Sequence, residues 1–129
     1  MAQETTGGAR IPAAGGTSVV RAQAELDWET AAAFTAEVQA VLDSGAGPVV
    51  VDLAAVRFMD SSVLQTLLLA RRRMAAEGRA LVLAGPLHPT VRRLFEVVDL
   101  GDHLAFTDDL PAALAAVEGA GRGTHHPNG

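Results

Sequence analysis

The residues best suited to chemistry in this chain are an aspartate and two hydroxyls in a row, Asp60, Ser61 and Ser62. They separate a strand-like apolar run, residues 48–56, from a helix-like pattern that reaches Met74. A strand that passes directly into a helix places the junction at the carboxyl edge of a sheet, where the first amides of the helix favour anions. The chemistry that this arrangement indicates is the addition of a phosphate to a serine.

The two serines have different expected roles. Ser62 is followed three residues later by Gln65, which matches the capping-box pattern and predicts that Ser62 caps the helix. Ser61 would then precede the cap, and its hydroxyl would face solvent, as modification by a kinase requires. Ser61 is therefore the first candidate for phosphorylation and Ser62 the second.

Asp27 is the next candidate, because it stands between a strand-like segment, residues 18–26, and a helical pattern. The sequence allows it to cap that helix, to form part of a binding face near Ser61, or to do both. Trp28 beside it has two open readings, an exposed interface anchor or a side chain packed against the helix.

Composition excludes several classes of function. The chain has 129 residues and a net charge of -5, which argues against a nucleic-acid binder. It has no cysteine, so disulfides and thiolate chemistry are excluded and a cytoplasmic location is expected. No apolar run is long enough for a membrane span, and the first 18 residues have no signal-peptide pattern.

Enzymatic and cofactor sites are also not expected. His88 and His103 have no Gly-x-Ser-x-Gly elbow to accompany them, and no phosphate loop or dinucleotide fingerprint occurs. His125 and His126 lie in a predicted disordered tail, where no fixed structure would hold them as metal ligands. We expect a protein without catalysis, metal or cofactor.

The elements that must position these residues alternate between strand and helix four times. Such alternation predicts an α/β fold with a four- to five-stranded mixed, mainly parallel sheet and about four helices. Residues 1–17 are predicted to be a flexible arm with an edge strand near Arg10 and Ile11, residues 18–118 a single domain, and residues 119–129 a disordered tail. The predicted strands are 18–26, 49–53, 80–84 and 103–107, and the predicted helices are 27–45, 62–76, 89–101 and 109–117.

Three segments in this order resemble STAS domains, in particular the bacterial anti-sigma factor antagonists. They are the strand-turn-helix run from Val49 to Leu64 with Asp60-Ser61-Ser62 at its centre, the segment Ala24-Glu25-Leu26-Asp27, which is similar to Gly-Glu-Leu-Asp in that family, and the run from Val91 to Phe95 followed by Leu100-Gly101.

The resemblance implies a fold and a function. In that family the serine directly after the aspartate is phosphorylated, which here is Ser61. The implied mechanism is partner switching, in which the unmodified protein binds an anti-sigma factor that is a serine kinase, frees the sigma factor, and is released on phosphorylation. A serine phosphatase would reverse the step. Asp60 would orient Ser61 toward the nucleotide of the kinase, or act as a plain N-cap.

The implied partner-binding residues are Asp27, Asp60, Ser61, Ser62 and Val63. The family pattern Gly-Leu-Gly after the serines is Val63-Leu64-Gln65 here, and we expect Val63 to hinder close approach of a partner. The alternative function is a STAS scaffold without the switch, or a subunit of a transporter ATPase or signalling complex.

Overall fold

The computed structural model describes residues 8–12, 16–45, 47–97 and 104–123. The elements in chain order are β1 (Gly8–Pro12), β2 (Ser18–Ala22), β3 (Glu25–Leu26), α1 (Trp28–Ser44), β4 (Val49–Asp52), β5 (Phe58–Met59), α2 (Ser61–Ala76), β6 (Leu81–Ala84), α3 (Pro89–Val97), β7 (Ala105–Thr107) and α4 (Leu110–Gly123).

The main sheet has five strands in the order β1-β2-β4-β6-β7, and a separate two-stranded sheet pairs β3 with β5. β1 runs antiparallel to β2, whereas the other neighbours are parallel. In register, Val20 lies beside Val51, and Val51 beside Leu83. The predicted mixed, mainly parallel α/β fold is confirmed.

Helices cover both faces of the main sheet, which explains why its central strands are continuous apolar runs. One face packs against α1, α2 and α3 through side chains such as Phe34, Leu67 and Val91. The other face packs against α4, where Ala113 and Val117 contact the alternate residues of the strands. The domain is therefore three layers thick.

Two expectations about the strands are corrected. The predicted strand 18–26 is two strands, because the main-sheet pairing of β2 ends at Ala22 and β3 pairs with β5 instead. The predicted direct passage from β4 into a helix is also wrong, because β4 ends at Asp52 and the two-residue β5 lies between them. Strands of two residues are too short to leave a period in the sequence.

One chain end agrees with expectation and the other differs. β1 forms the predicted edge strand around Arg10 and Ile11. α4 continues to Gly123, five residues into the segment predicted as a tail. Its glycines lower helix propensity, but each residue added to an existing helix gains a hydrogen bond. The expected helix end at Gly101 and the strand start at His103 lie outside the described residues.

Candidate phosphorylation and docking site

The two-stranded sheet brings the starts of α1 and α2 together. Leu26 pairs with Met59, and both side chains are buried in the core. The chain then advances one residue on each strand to Asp27 and Asp60, and the Asp60 amide donates to the Leu26 carbonyl at 2.8 Å. Both helices begin at the next residue. The predicted proximity of Asp27 to Ser61 therefore follows from the register of the two short strands.

The start of α1 is closed by reciprocal hydrogen bonds. One Asp27 carboxylate oxygen accepts from the amides of Glu29 and Thr30, both at 3.0 Å. The Thr30 hydroxyl oxygen accepts from the Asp27 amide at 3.0 Å and donates to the Glu25 carbonyl at 2.8 Å. Hydrogen bonds to the Asp27 carboxylate, first those from Thr30 and then that from Glu29, hold the pKa of Asp27 below its usual range. Asp27 is the N-cap that the sequence predicted.

The start of α2 is built on Asp60. Its backbone is extended, with φ -72° and ψ 146°, and its carboxylate accepts from the Ser62 amide at 2.8 Å. The predicted cap at Ser62 with a capping box to Gln65 is wrong, because strand pairing keeps the chain extended through Asp60 and the helix begins at Ser61. The N-cap interpretation of Asp60 is confirmed.

The serine side chains are accessible. Ser61 and Ser62 are both exposed, and the Ser61 hydroxyl makes no hydrogen bond to any residue that the structure describes. Its oxygen is not needed to cap the helix, since Asp60 does that. The geometry leaves Ser61 open to a modifying enzyme.

Val63 does not belong on the docking surface. Its side chain is 0% exposed and lies in the core, so it presents no surface to a partner. This corrects the expectation that it forms part of the binding face. Gln65 is exposed, so the outer side of α2 carries a side chain where the resemblance implies glycine.

Large apolar side chains flank the two helix starts. Trp28, the first residue of α1, is 77% exposed, so its packed alternative is wrong. Phe58 is 48% exposed and lies opposite Glu25 on the outward side of the two-stranded sheet. Sequence reasoning missed Phe58 as a surface residue, although its alternation with buried Met59 in an extended segment is the signal that would have found it.

A neutral hydrogen bond links α1 to α2, in addition to the ion pair between Arg73 of α2 and Asp43 of α1 at 2.8 Å. The hydroxyls of Thr35 and Thr66 lie 2.8 Å apart, and in the described part of the chain Thr66 and Thr17 are the buried polar residues. A buried hydroxyl without a partner costs about 1–3 kcal/mol, so the pair favours one relative position of the helices.

Other kinds of site receive no support within the described ranges. No group of three or more His, Cys, Asp or Glu side chains there could hold a metal ion. His88 accepts the Thr90 amide at 3.2 Å at the start of α3, and the other histidines lie outside the described residues. None of the helices found in those ranges has the length and apolar character needed to cross a membrane.

Comparison with known proteins agrees with this architecture. A family model described as "Mlab, STAS domain" matches residues 9–117. The chain belongs to the STAS domain family. No curated protein matches the sequence.

Solved structures resemble this STAS domain over almost its whole length. Unphosphorylated SpoIIAA, an anti-sigma factor antagonist, is 25% identical with a TM-score of 0.73, over 87% of this chain and 96% of that one. An anti-sigma factor antagonist from Mycobacterium paratuberculosis is 28% identical with a TM-score of 0.74, over 88% and 96%. SpoIIAA from Bacillus in its phosphorylated form shares the fold at 21% identity and a TM-score of 0.65, over 84% and 98%.

Proposed function

We propose that this STAS domain is a non-enzymatic anti-sigma factor antagonist that acts in the cytoplasm. It binds an anti-sigma factor that is a serine kinase, releases the sigma factor, and is inactivated when the kinase phosphorylates Ser61. The observation that carries this proposal is the exposed Ser61 hydroxyl, unengaged by any described residue, at the start of a helix that Asp60 already caps. The two solved structures at 25% and 28% identity, both of anti-sigma factor antagonists, support it.

Electrostatics gives the direction of the switch. A phosphate adds about -1.5 to -2 charges at neutral pH. At Ser61 these charges would stand one residue from Asp60 and close to Asp27, which is ionised at neutral pH. Docking of a partner would have to strip water from all of these anions together, and the nucleotide phosphates of a kinase add further repulsion. Phosphorylation therefore weakens the complex.

The domain itself tolerates the phosphate. Ser61 is exposed, so the added group remains in water and displaces no core side chain. The first amides of α2 stabilise an anion there by about 0.3–1 kcal/mol. The modification changes the docking surface and leaves the fold intact, and removal of the phosphate by a serine phosphatase restores binding.

The test uses the purified protein, its cognate kinase and ATP, with the phosphate mapped by mass spectrometry. We expect label on Ser61, no label on Ser61→Ala, and unchanged labelling of Ser62→Ala, which is the matched control. Ser61→Ala should stay bound to the kinase in the presence of ATP, and Ser61→Asp should bind more weakly than wild type. Label on another residue, or equal binding of Ser61→Asp, would contradict the proposal.

One observation favours a second candidate, a STAS subunit without the switch that docks on a transporter ATPase or a signalling complex. Gln65 projects from the outer side of α2 where the resemblance implies glycine. In that case Ser61→Asp and wild type would bind the partner equally, and no kinase would label Ser61. The same experiment therefore separates the two candidates.

A further inference from the structure

The exposed side chain of Trp28 is unexplained by folding. It is the only tryptophan of the chain, and it is 77% exposed although the buried side chains of α1, among them Phe34 and Val38, lie on another side of the helix. Tryptophan is the residue type most enriched at the energetic centres of protein interfaces. An exposed tryptophan next to a docking surface is therefore a candidate anchor for the partner.

Trp28 and Ser61 hold equivalent positions in the structure. Each is the first residue of its helix, each follows an aspartate cap, and the two caps follow the paired residues Leu26 and Met59. Packed helices have axes about 8–10 Å apart. A partner that covers Ser61 with an interface of ordinary size, about 800 Å² on each side, would therefore also reach Trp28.

The side chains around Trp28 are mainly acidic. Glu25 and Glu29 are exposed, and the carboxylates of Asp27 and Asp60 cap the two helices. Arg57 is the one basic residue within residues 24–30 and 57–62. We call the four carboxylates the acidic collar. It is complementary to a surface that carries Lys and Arg, and it repels anionic surfaces.

We propose that Trp28 is the anchor by which the partner docks, and that the partner is a protein with an apolar pocket for the indole, bordered by basic side chains that meet the acidic collar. The inference rests on the proposed function for the identity of that partner, the kinase-type anti-sigma factor. An anionic lipid surface, the other environment in which an exposed indole is common, does not match the collar.

The single tryptophan makes the test direct. The chain is labelled with 5-fluorotryptophan, which gives one fluorine resonance, and is titrated with the purified kinase without ATP. We expect that resonance to shift or broaden on binding and to lose its response to solvent. Vesicles of phosphatidylglycerol, the lipid arm of the test, should leave it unchanged.

Binding constants of variants measure the contribution of the anchor. Trp28→Ala should weaken kinase binding at least about 30-fold, and Trp28→Phe by less, because an aromatic ring remains. Val97→Ala is the matched control, since Val97 is also exposed, at 71%, but lies at the far end of α3. It should bind within about twofold of wild type. Circular dichroism should show the same fold for all three variants.

Two results would overturn the inference and are distinguishable from each other. If wild type binds the kinase and is labelled on Ser61 while Trp28→Ala binds within about threefold, the anchor is wrong and the proposed function stands. If wild type does not bind the kinase, or the resonance responds to vesicles alone, the proposed partner is wrong and the inference fails with it.

Discussion

The starts of α1 and α2 are built on the same plan but finished differently. Both follow a short strand and an aspartate cap, and the two strands pair with each other. At α1, the Asp27 carboxylate accepts hydrogen bonds from two backbone amides, and the Thr30 hydroxyl accepts one from the Asp27 amide, so the cap is reciprocal. At α2, the Asp60 carboxylate accepts one hydrogen bond, from the Ser62 amide. No reciprocal bond forms there among the described residues.

The difference assigns separate tasks to the two starts. The reciprocal cap at the start of α1 stabilises the fold. The exposed Trp28 side chain takes no part in that cap, so a partner can contact it without disturbing the helix. A start with a spare hydroxyl can accept a phosphate at little cost to the helix. The comparison supports the two proposals made above, modification at Ser61 and permanent attraction at Trp28.

The largest effect should come from breaking the sheet that holds the two starts together. Leu26 is fully buried, and its carbonyl accepts the Asp60 amide. Leu26→Ala should lower the free energy of unfolding by about 2–5 kcal/mol in urea denaturation. Leu69→Ala, the same substitution at a residue 53% exposed on α2, is the control and should cost far less. Equal losses would contradict the burial of the Leu26 side chain in the core beneath the two starts.

The two caps should differ in how much stability their loss costs at neutral pH, and the cost at Asp27 should depend on pH. At pH 7, Asp60→Ala should cost about 0.5–2 kcal/mol, and Asp27→Ala should lower the urea midpoint further, because Asp27 engages more donors. Since the folded pKa of Asp27 is lowered, its contribution is present above the unfolded pKa and is lost as pH falls through the folded pKa.

Urea denaturation at pH 7 and at several values below pH 4 checks this expectation. The gap between wild type and Asp27→Ala should narrow as the pH falls. Asp27→Asn keeps an acceptor oxygen without the charge, so its urea midpoint at pH 7 should lie between those of wild type and Asp27→Ala. A gap that is constant with pH would contradict the assigned hydrogen bonds.

The smallest effect on stability is expected at Ser61. Ser61→Ala should change the free energy of unfolding by no more than about 0.5 kcal/mol, because the side chain is exposed and does not cap the helix. Ser62→Ala should behave alike. A loss above about 1 kcal/mol for Ser61→Ala alone would mean that the hydroxyl supports the fold, and the contrast between the two helix starts would disappear.

Much of the fold could be read from the sequence, because the signals were local. A run of valines marked β4, and a short apolar run marked β6. Asp27 before the helical repeat of Phe34 and Val38 marked α1. The end of α2 could be predicted from Gly78, because a helix often ends where glycine can adopt a positive φ. Gly78 does so, with φ 71°.

The start of α2 could not be read in the same way. Asp60 and Ser62 are both good capping residues, and the choice depends on how far strand pairing keeps the chain extended. That pairing joins Leu26 to Met59, residues distant in sequence, through strands of two residues. Burial of Val63 and exposure of Phe58 follow from the same pairing, so the sequence predicted that Ser61 is exposed near the helix start but not which side chains surround it.

The hydroxyl bond between Thr35 and Thr66 has a consequence for experiments on docking. Neither group titrates between pH 4 and 9, and ions in solution hardly screen a neutral contact. This hydroxyl contact should therefore persist at high salt, whereas the exposed ion pair between Arg73 of α2 and Asp43 of α1, at 2.8 Å, is screened. A dependence of complex formation on salt concentration then reports charged contacts, the acidic collar among them, and not the loss of this hydroxyl bond.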